Sequence, residues 1–437
     1  MSIRRTLLMT AVGFGLSASI AAADTTTITI ATVNNGDMIR MQGLTDEFTA
    51  ANPDISVEWV TLEENVLRQN VTTDISTGGG AYDVMTIGTY EVPIWGKNGW
   101  LVPLDSGMAE DWDAADLLPA IAGGLTVDGS LYAAPFYGES SMVMYRTDLM
   151  EKAGLEMPEA PTWQFIREAA AAMTDRENEI NGICARGKAG WGENMAFLTA
   201  MANSFGARWF DEDWNAQFDT QPWADTLNFY LEMMNESGPN GAANNGFNEN
   251  LTLFQQGKCG MWIDATVAAS FVTGADSTVA DKVGFALAPD NGLGPRGNWL
   301  WAWSLAIPTS SEKQDAAKAF VSWATSKGYT ELVAANEGWA NVPPGTRTSL
   351  YENQEYLDAA PFAAMTLQSI NSADPTNPTV DPVPYTGVQF VAIPEFAGFA
   401  TQVGQQFSDA LAGNQTAEQA LENAQELTVE EMEAAGY

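Results

Sequence analysis

Histidine is absent from the 437-residue sequence, cysteine occurs twice, and basic residues are scarce, with 19 Lys and Arg against 56 Asp and Glu. Without imidazole the chain cannot build a Ser-His-Asp triad, a Cys-His nucleophile pair or a histidine-ligated zinc site. The formal net charge of −37 repels phosphate backbones and anionic headgroups, whose recognition begins with a basic patch. Nucleic acid is therefore not expected as a partner, whereas a neutral ligand meets no such penalty. Beyond the N-terminus no apolar run approaches the roughly 20 residues that a bilayer span requires, so no direct membrane insertion is expected. No repeat of roughly 20 to 50 residues is present, which argues against a solenoid or propeller. What remains is a chain 46% hydrophobic and 17% charged, long enough for two or three domains with substantial cores.

The first residues have the form of an export signal. Arg4 and Arg5 precede a mostly apolar stretch from Thr6 to Ile20, and Ala21-Ala22-Ala23 supplies the small-residue cleavage pattern. A secretory signal peptide over residues 1–23, cleaved after Ala23, places the mature protein in a periplasm. In that oxidising compartment an even number of cysteines favours a bridge, so Cys184 and Cys259 are expected to form a disulfide rather than a metal or catalytic pair.

From Thr26 onward β-rich and helical patterns alternate. Thr27 to Ala31, Ile55 to Val60 and Tyr82 to Ile87 predict strands, with helices over Met38–Ala50 and Val66–Ser76 between them and Gly78-Gly79-Gly80 as a stop. Further strands are predicted at 141–145, 180–185 and 260–264, and helices at 162–173, 195–204, 223–234, 316–325, 329–335, 396–412 and 416–424. Strands separated by helices of this size indicate an α/β fold with parallel βαβ units. Asp175, Glu177 and Glu179 have calcium-loop spacing, but Ile180 stands where such a loop needs glycine, so a hairpin turn is expected and no metal or cofactor.

An ordered set of segments resembles the extracellular solute-binding proteins of ATP-driven sugar importers, the maltose-binding-protein-like family, and most closely its sorbitol/mannitol-binding type. The segments are Thr45-Asp46-Glu47-Phe48, Asn52-Pro53-Asp54-Ile55, Tyr82-Asp83-Val84, Gly99-Trp100-Leu101-Val102-Pro103-Leu104 and Leu131-Tyr132-Ala133-Ala134-Pro135-Phe136. They continue with Met144-Tyr145-Arg146, Phe254-Gln255-Gln256-Gly257-Lys258-Cys259, Leu305-Ala306-Ile307-Pro308 and Pro343-Pro344-Gly345-Thr346-Arg347. The resemblance implies the periplasmic-binding-protein type II fold, two α/β lobes over a ligand cleft. The lobes would comprise 24–138 plus 304–355 and 139–303 plus 356–437, with crossings near Tyr137–Glu139, Trp299–Trp303 and Leu350–Ala360. It also implies a monomeric binder of a neutral polyol or sugar, not an enzyme, that delivers its ligand to membrane permease subunits of an ABC transporter.

In open α/β sheets ligands sit beyond the strand carboxyl ends, and polar clusters stand there: Asn34-Asn35-Gly36-Asp37, Glu63-Glu64-Asn65 and Gly88-Thr89-Tyr90-Glu91. Turn formation and helix capping explain such residues equally well; the resemblance tilts Asn35, Asp37, Glu64 and Tyr90 toward ligand contact, and Glu63 joins them as a candidate. Tyr137 and Glu139 lie at the first crossing, and a carboxylate there can accept hydrogen bonds from two hydroxyls of a diol. Asp264, at the end of an apolar strand, is the second lobe's candidate, with helix capping as its other reading. Alternation in Asn298-Trp299-Leu300-Trp301-Ala302-Trp303 puts three indoles on one strand face. Trp299 or Trp301 is expected to meet the ligand and Trp303 the core. Trp191, Asn194 and Trp339 sit in glycine-flanked loops, and Arg347 closes the last family segment; these complete the candidates. Two rival classes stay open, a secreted carbohydrate-active enzyme using two carboxylates and a receptor for a cationic polyamine.

Overall fold

The computed structural model describes residues 25–437, so the expected signal segment lies outside the described residues. Eleven strands form the sheets: β1 Thr26–Val33, β2 Ile55–Leu62, β3 Val84–Ile87, β4 Thr126–Val127, β5 Ser130–Leu131, β6 Ala134–Glu139, β7 Ser141–Arg146, β8 Asn181–Cys184, β9 Cys259–Ala265, β10 Val283–Leu287 and β11 Trp301–Ala306. Five build one sheet in the order β2-β1-β3-β11-β6, four build a second in the order β10-β7-β9-β8, and β4 and β5 form a small hairpin. Each large sheet anchors one α/β lobe.

In the first lobe β1 pairs in parallel with β2 and β3, and Ile28, Ile30, Val84 and Met85 are fully buried under the flanking helices. The helix Glu64–Thr77 starts where the Glu63 carboxylate accepts the backbone N–H groups of Asn65 and Val66, and stops at Gly78, whose φ of 63° suits glycine. The single helix expected over 38–50 is instead two, Gly36–Gly43 and Thr45–Ala51. Gly43 weakens the helix at that point, and the Thr45 hydroxyl donates to the Gln42 carbonyl at 2.7 Å, competing with the helical ladder.

The sheets are mixed rather than wholly parallel, because strands that leave one lobe return to it in the opposite sense. The chain first passes between sheets at Ser140, between β6 and β7, and comes back between β10 and β11. β11 then lies antiparallel between β3 and β6. Its register sets Trp301 opposite Glu139 and Trp303 opposite Tyr137, and directly opposed residues share a sheet face. Trp299 precedes the strand. In the second lobe the helices Phe396–Leu411 and Ala417–Ala435 pack on each other and on the helix Gln221–Ser237. Trp209, Phe218, Trp223, Phe396 and Phe407 interlock there, with centroid separations of 4.7–6.1 Å.

Cys184 and Cys259 are joined by a disulfide across β8 and β9, with Cα atoms 5.8 Å apart and both residues fully buried. The bridge closes a loop of sequence separation 75, which in the chain-entropy account stabilises by about 4 kcal/mol at most. Replacing both cysteines by alanine is expected to lower the urea midpoint by an amount equivalent to about 2–4 kcal/mol. Thiol titration of the unfolded, unreduced protein should find no free sulfhydryl.

Candidate functional site

Two adjoining cavities of about 30 and 130 Å3 lie between the lobes and share Glu64, Glu139, Arg186 and Trp303. The smaller is walled by Arg68, Trp191, Trp299, Trp301 and Gln389, the larger by Asn35, Glu63, Tyr137, Lys188, Glu193 and Glu249, among others. The elements that carry them are those the strand-end rule names. Asn35 and Glu63 follow β1 and β2, Glu139 ends β6, Arg186, Lys188 and Trp191 follow β8, and the other three indoles belong to β11 and the segment before it.

Two guanidiniums organise this space. Arg186 forks onto Asp264, with Nε 2.9 Å and Nη2 2.7 Å from its carboxylate oxygens, and its Nη1 donates to the Gly192 carbonyl at 2.8 Å. Arg68 donates to Glu64 from Nε and Nη2 at 3.0 and 2.9 Å and to Glu91 from Nη1 at 2.7 Å. The second Glu91 oxygen accepts the Gly88 N–H at 2.9 Å. Arg68 also lies over three indoles, 4.0 Å from the Trp191 centroid, 4.6 Å from Trp303 and 4.9 Å from Trp301.

The lobes meet around the cavities. Lys188 of the second lobe forms an ion pair with Glu63 of the first, and the Asn65 amide donates to the Ala189 carbonyl at 3.2 Å. Gly192 sits so close that a Cβ there would fall 2.2 Å from Oε1 of Glu64, so glycine allows this approach without displacing the carboxylate. The cleft is closed.

The expected site residues divide accordingly. Asn35 lines the larger cavity while capping the helix Gly36–Gly43 and donating to the Tyr137 hydroxyl at 2.6 Å. Glu63, Glu64, Tyr137, Glu139, Trp191, Trp299 and Trp301 line one cavity or both, and so does Trp303, which was expected in the core. Asp264 does not reach the space. It is fully buried, its oxygens accept Arg186, the Trp262 indole and the Ala265 N–H, and it caps no helix; its role is to hold Arg186.

Five further candidates stand elsewhere. Asp37 is buried against Arg40, itself bonded to Glu337 at 2.6 Å, within the first lobe. Tyr90 is a buried joint between lobes: its hydroxyl donates toward the Ile393 carbonyl at 3.0 Å and accepts the Ala397 N–H at 3.2 Å. Asn194 ties its own loop to the Gly404 carbonyl at 2.7 Å and so positions Trp191. Trp339 lies in a short 3-10 turn of the first lobe. Arg347 donates to the carbonyls of Trp112, Asp113 and Thr325. Asp37, Tyr90, Asn194 and Arg347 are buried among partners of their own, while Trp339 is half-buried and lines neither cavity.

Arg68, Arg186, Lys188, Glu193 and Gln389 were missed. Arg186 and Lys188 stand just past β8, where the strand-end rule would have found them. Arg68 follows Glu64 by one helical turn. Gln389 had no such signal; its amide brackets the Leu300 backbone from a distant loop, accepting its N–H at 3.3 Å and donating to its carbonyl at 3.0 Å.

Two lobes closed over a small polar space, with side chains converging from both, define a clamshell receptor for a small solute. The chain belongs to the bacterial extracellular solute-binding proteins, whose family pattern it matches over residues 35–331. It is 54% identical over 423 residues to a mannitol-binding protein of Pseudomonas aeruginosa, covering 97% of each chain. A solved ABC transporter solute-binding protein of Agrobacterium vitis with bound D-mannitol is 71% identical, with a TM-score of 0.94 over 94% of this chain and 100% of that one. A ribitol-bound solute-binding protein of Agrobacterium radiobacter, 22% identical with a TM-score of 0.79, shares the fold over 92% of this chain and 98% of its own.

Burial shifts the acids of the cleft. It pushes the Glu139 carboxyl up to about 8; Arg186 pulls the other way, while Asp264 and Glu64 add to the rise. It pushes Glu193 up to about 7, with Glu64 and Glu63 raising it further against Arg186 and Lys188. A carboxyl whose folded pKa exceeds its ordinary value of 4.5 holds its proton more tightly in the native state. Stability linked to Glu139 is therefore complete below that value and is lost as pH rises through about 8. The urea midpoint of the ligand-free protein is expected to fall across this window, and Glu139→Gln should flatten the fall. An unchanged slope would mean that Glu139 is ionised throughout.

Proposed function

We propose that this protein is the periplasmic capture component of an ABC importer for a linear sugar alcohol, with mannitol foremost and sorbitol and arabitol as related substrates. The observation that carries this reading is the pairing of charge in the cleft. Although the chain is strongly acidic, the cavity walls set Arg68, Arg186 and Lys188 against Glu63 and Glu64, with Glu139 and Glu193, whose protons burial retains, as further hydroxyl partners. A ligand with many neutral hydroxyls can donate to the acids and accept from the cations at once. An anion would meet the acids and a polyamine the guanidiniums. The mannitol-binding relatives support the choice among neutral ligands.

A ligand touched by both lobes stabilises the closed form, because only a differential interaction can shift an open–closed equilibrium. The closed form would then be what the membrane permease recognises. Export through a signal peptide cleaved after Ala23, and action as a monomer without catalysis, complete the proposal.

Calorimetry on protein stripped of ligand by unfolding and refolding tests it. D-mannitol should bind with micromolar or tighter affinity, about −8 kcal/mol or better, largely independent of salt, and should be recovered chemically unchanged. Arg186→Ala should weaken binding by roughly tenfold to a thousandfold, for the loss of one or two charge-assisted hydrogen bonds. Asp264→Ala should weaken it through the freed Arg186. Competition by spermidine, or a converted ligand, would favour the rival classes.

A further inference from the structure

The cleft contains four indoles, and a guanidinium lies over each of them. Tryptophan faces are the natural platform for a sugar ring, whose C–H groups pack against the apolar π-surface. Here the Arg68 guanidinium already lies over Trp191, Trp303 and Trp301 at 4.0, 4.6 and 4.9 Å. Trp191 and Trp301 meet at 70° and Trp301 and Trp303 at 81°, so the three rings form walls of a box around one cation. Trp299 has Arg186 over it at 5.6 Å.

The remaining surfaces of two walls are packed as well. Tyr90 lies 4.7 Å from Trp191, centroid to centroid. Gly88 is so near Trp301 that a Cβ there would fall 1.9 Å from the indole. All four indoles are at most 5% exposed. Arg68 itself cannot swing aside freely, since Glu64 and Glu91 hold it at both ends of its guanidinium.

We infer that Arg68, by filling the tryptophan box, is the residue that restricts this cleft to acyclic polyols and excludes ring sugars. A flexible chain of hydroxyls needs hydrogen-bonding edges, which Arg68 and Glu64 supply. A pyranose ring packs its C–H face on an open aromatic face, and Arg68 occupies that place at Trp191, Trp301 and Trp303. The inference rests on the polyol reading above and adds the physical cause of its selectivity.

Titration of the unaltered, ligand-stripped protein with D-mannitol, D-mannose and D-glucose is the first test. Mannitol should bind at least a hundredfold more tightly than either hexose. Comparable binding of mannitol and mannose leaves the polyol reading standing and overturns this inference. Absence of mannitol binding overturns the reading and the inference with it.

Arg68→Ala is the second test, with a thermal melt and near-ultraviolet circular dichroism to establish that it is folded. It should lose mannitol affinity by about tenfold or more and bring the hexose-to-mannitol affinity ratio at least tenfold closer to unity. Arg68→Lys, which keeps the charge but not the planar fork, should retain the discrimination better than alanine. A folded alanine variant with an unchanged affinity ratio would overturn the assignment. If that variant does not fold, the hexose titrations of the unaltered protein and the lysine variant's ratio stand as the test.

Discussion

A guanidinium buried between two lobes costs several kcal/mol unless its charge is matched and its donors are taken. The cleft is organised by that requirement, met twice. Arg186 is satisfied by Asp264 and the Gly192 carbonyl from its own lobe, and Arg68 by Glu64 and Glu91 from the other. Each lobe thus brings its cation to the interface already paired. Closure then brings Lys188 to Glu63, the Asn65 amide to the Ala189 carbonyl and Trp191 over Arg68.

The two sheets make this possible because they place strand ends, not strand faces, at the cleft. β6 and β11 run side by side and deliver Glu139 and Tyr137 beside Trp301 and Trp303. β8 and β9 hold Arg186 and Asp264 at their ends, with the disulfide fastening the same pair of strands. The acids that remain, Glu139 and Glu193, are raised by burial toward the neutral range.

Much of this was legible from residue order. The alternation of strand and helix indicated the α/β class, the strand-end rule together with the family resemblance pointed to Asn35 and Glu64, the first crossing pointed to Glu139, and the spacing of the tryptophans put Trp301 and Trp303 on one face. Elsewhere local chemistry could be read in two ways. Asp37 and Tyr90 stand at the same kind of turn as Glu64, yet Arg40 claims the first and the carbonyl of Ile393 the second. Asp264 stands near the end of its strand as a ligand residue would, but its carboxylate is held by a guanidinium 78 positions earlier.

Composition and order by themselves determined what the protein could not be and what class of fold it has, because absent side chains exclude chemistry and hydrophobic periodicity reflects which faces are buried. Only the tertiary structure decided which polar residues face the cleft. That choice depends on partners far away in sequence: Glu91 and Trp191 for Arg68, Asp264 for Arg186, the Leu300 backbone for Gln389. A buried charge takes its role from the group that neutralises it, and the fold alone brings the two together.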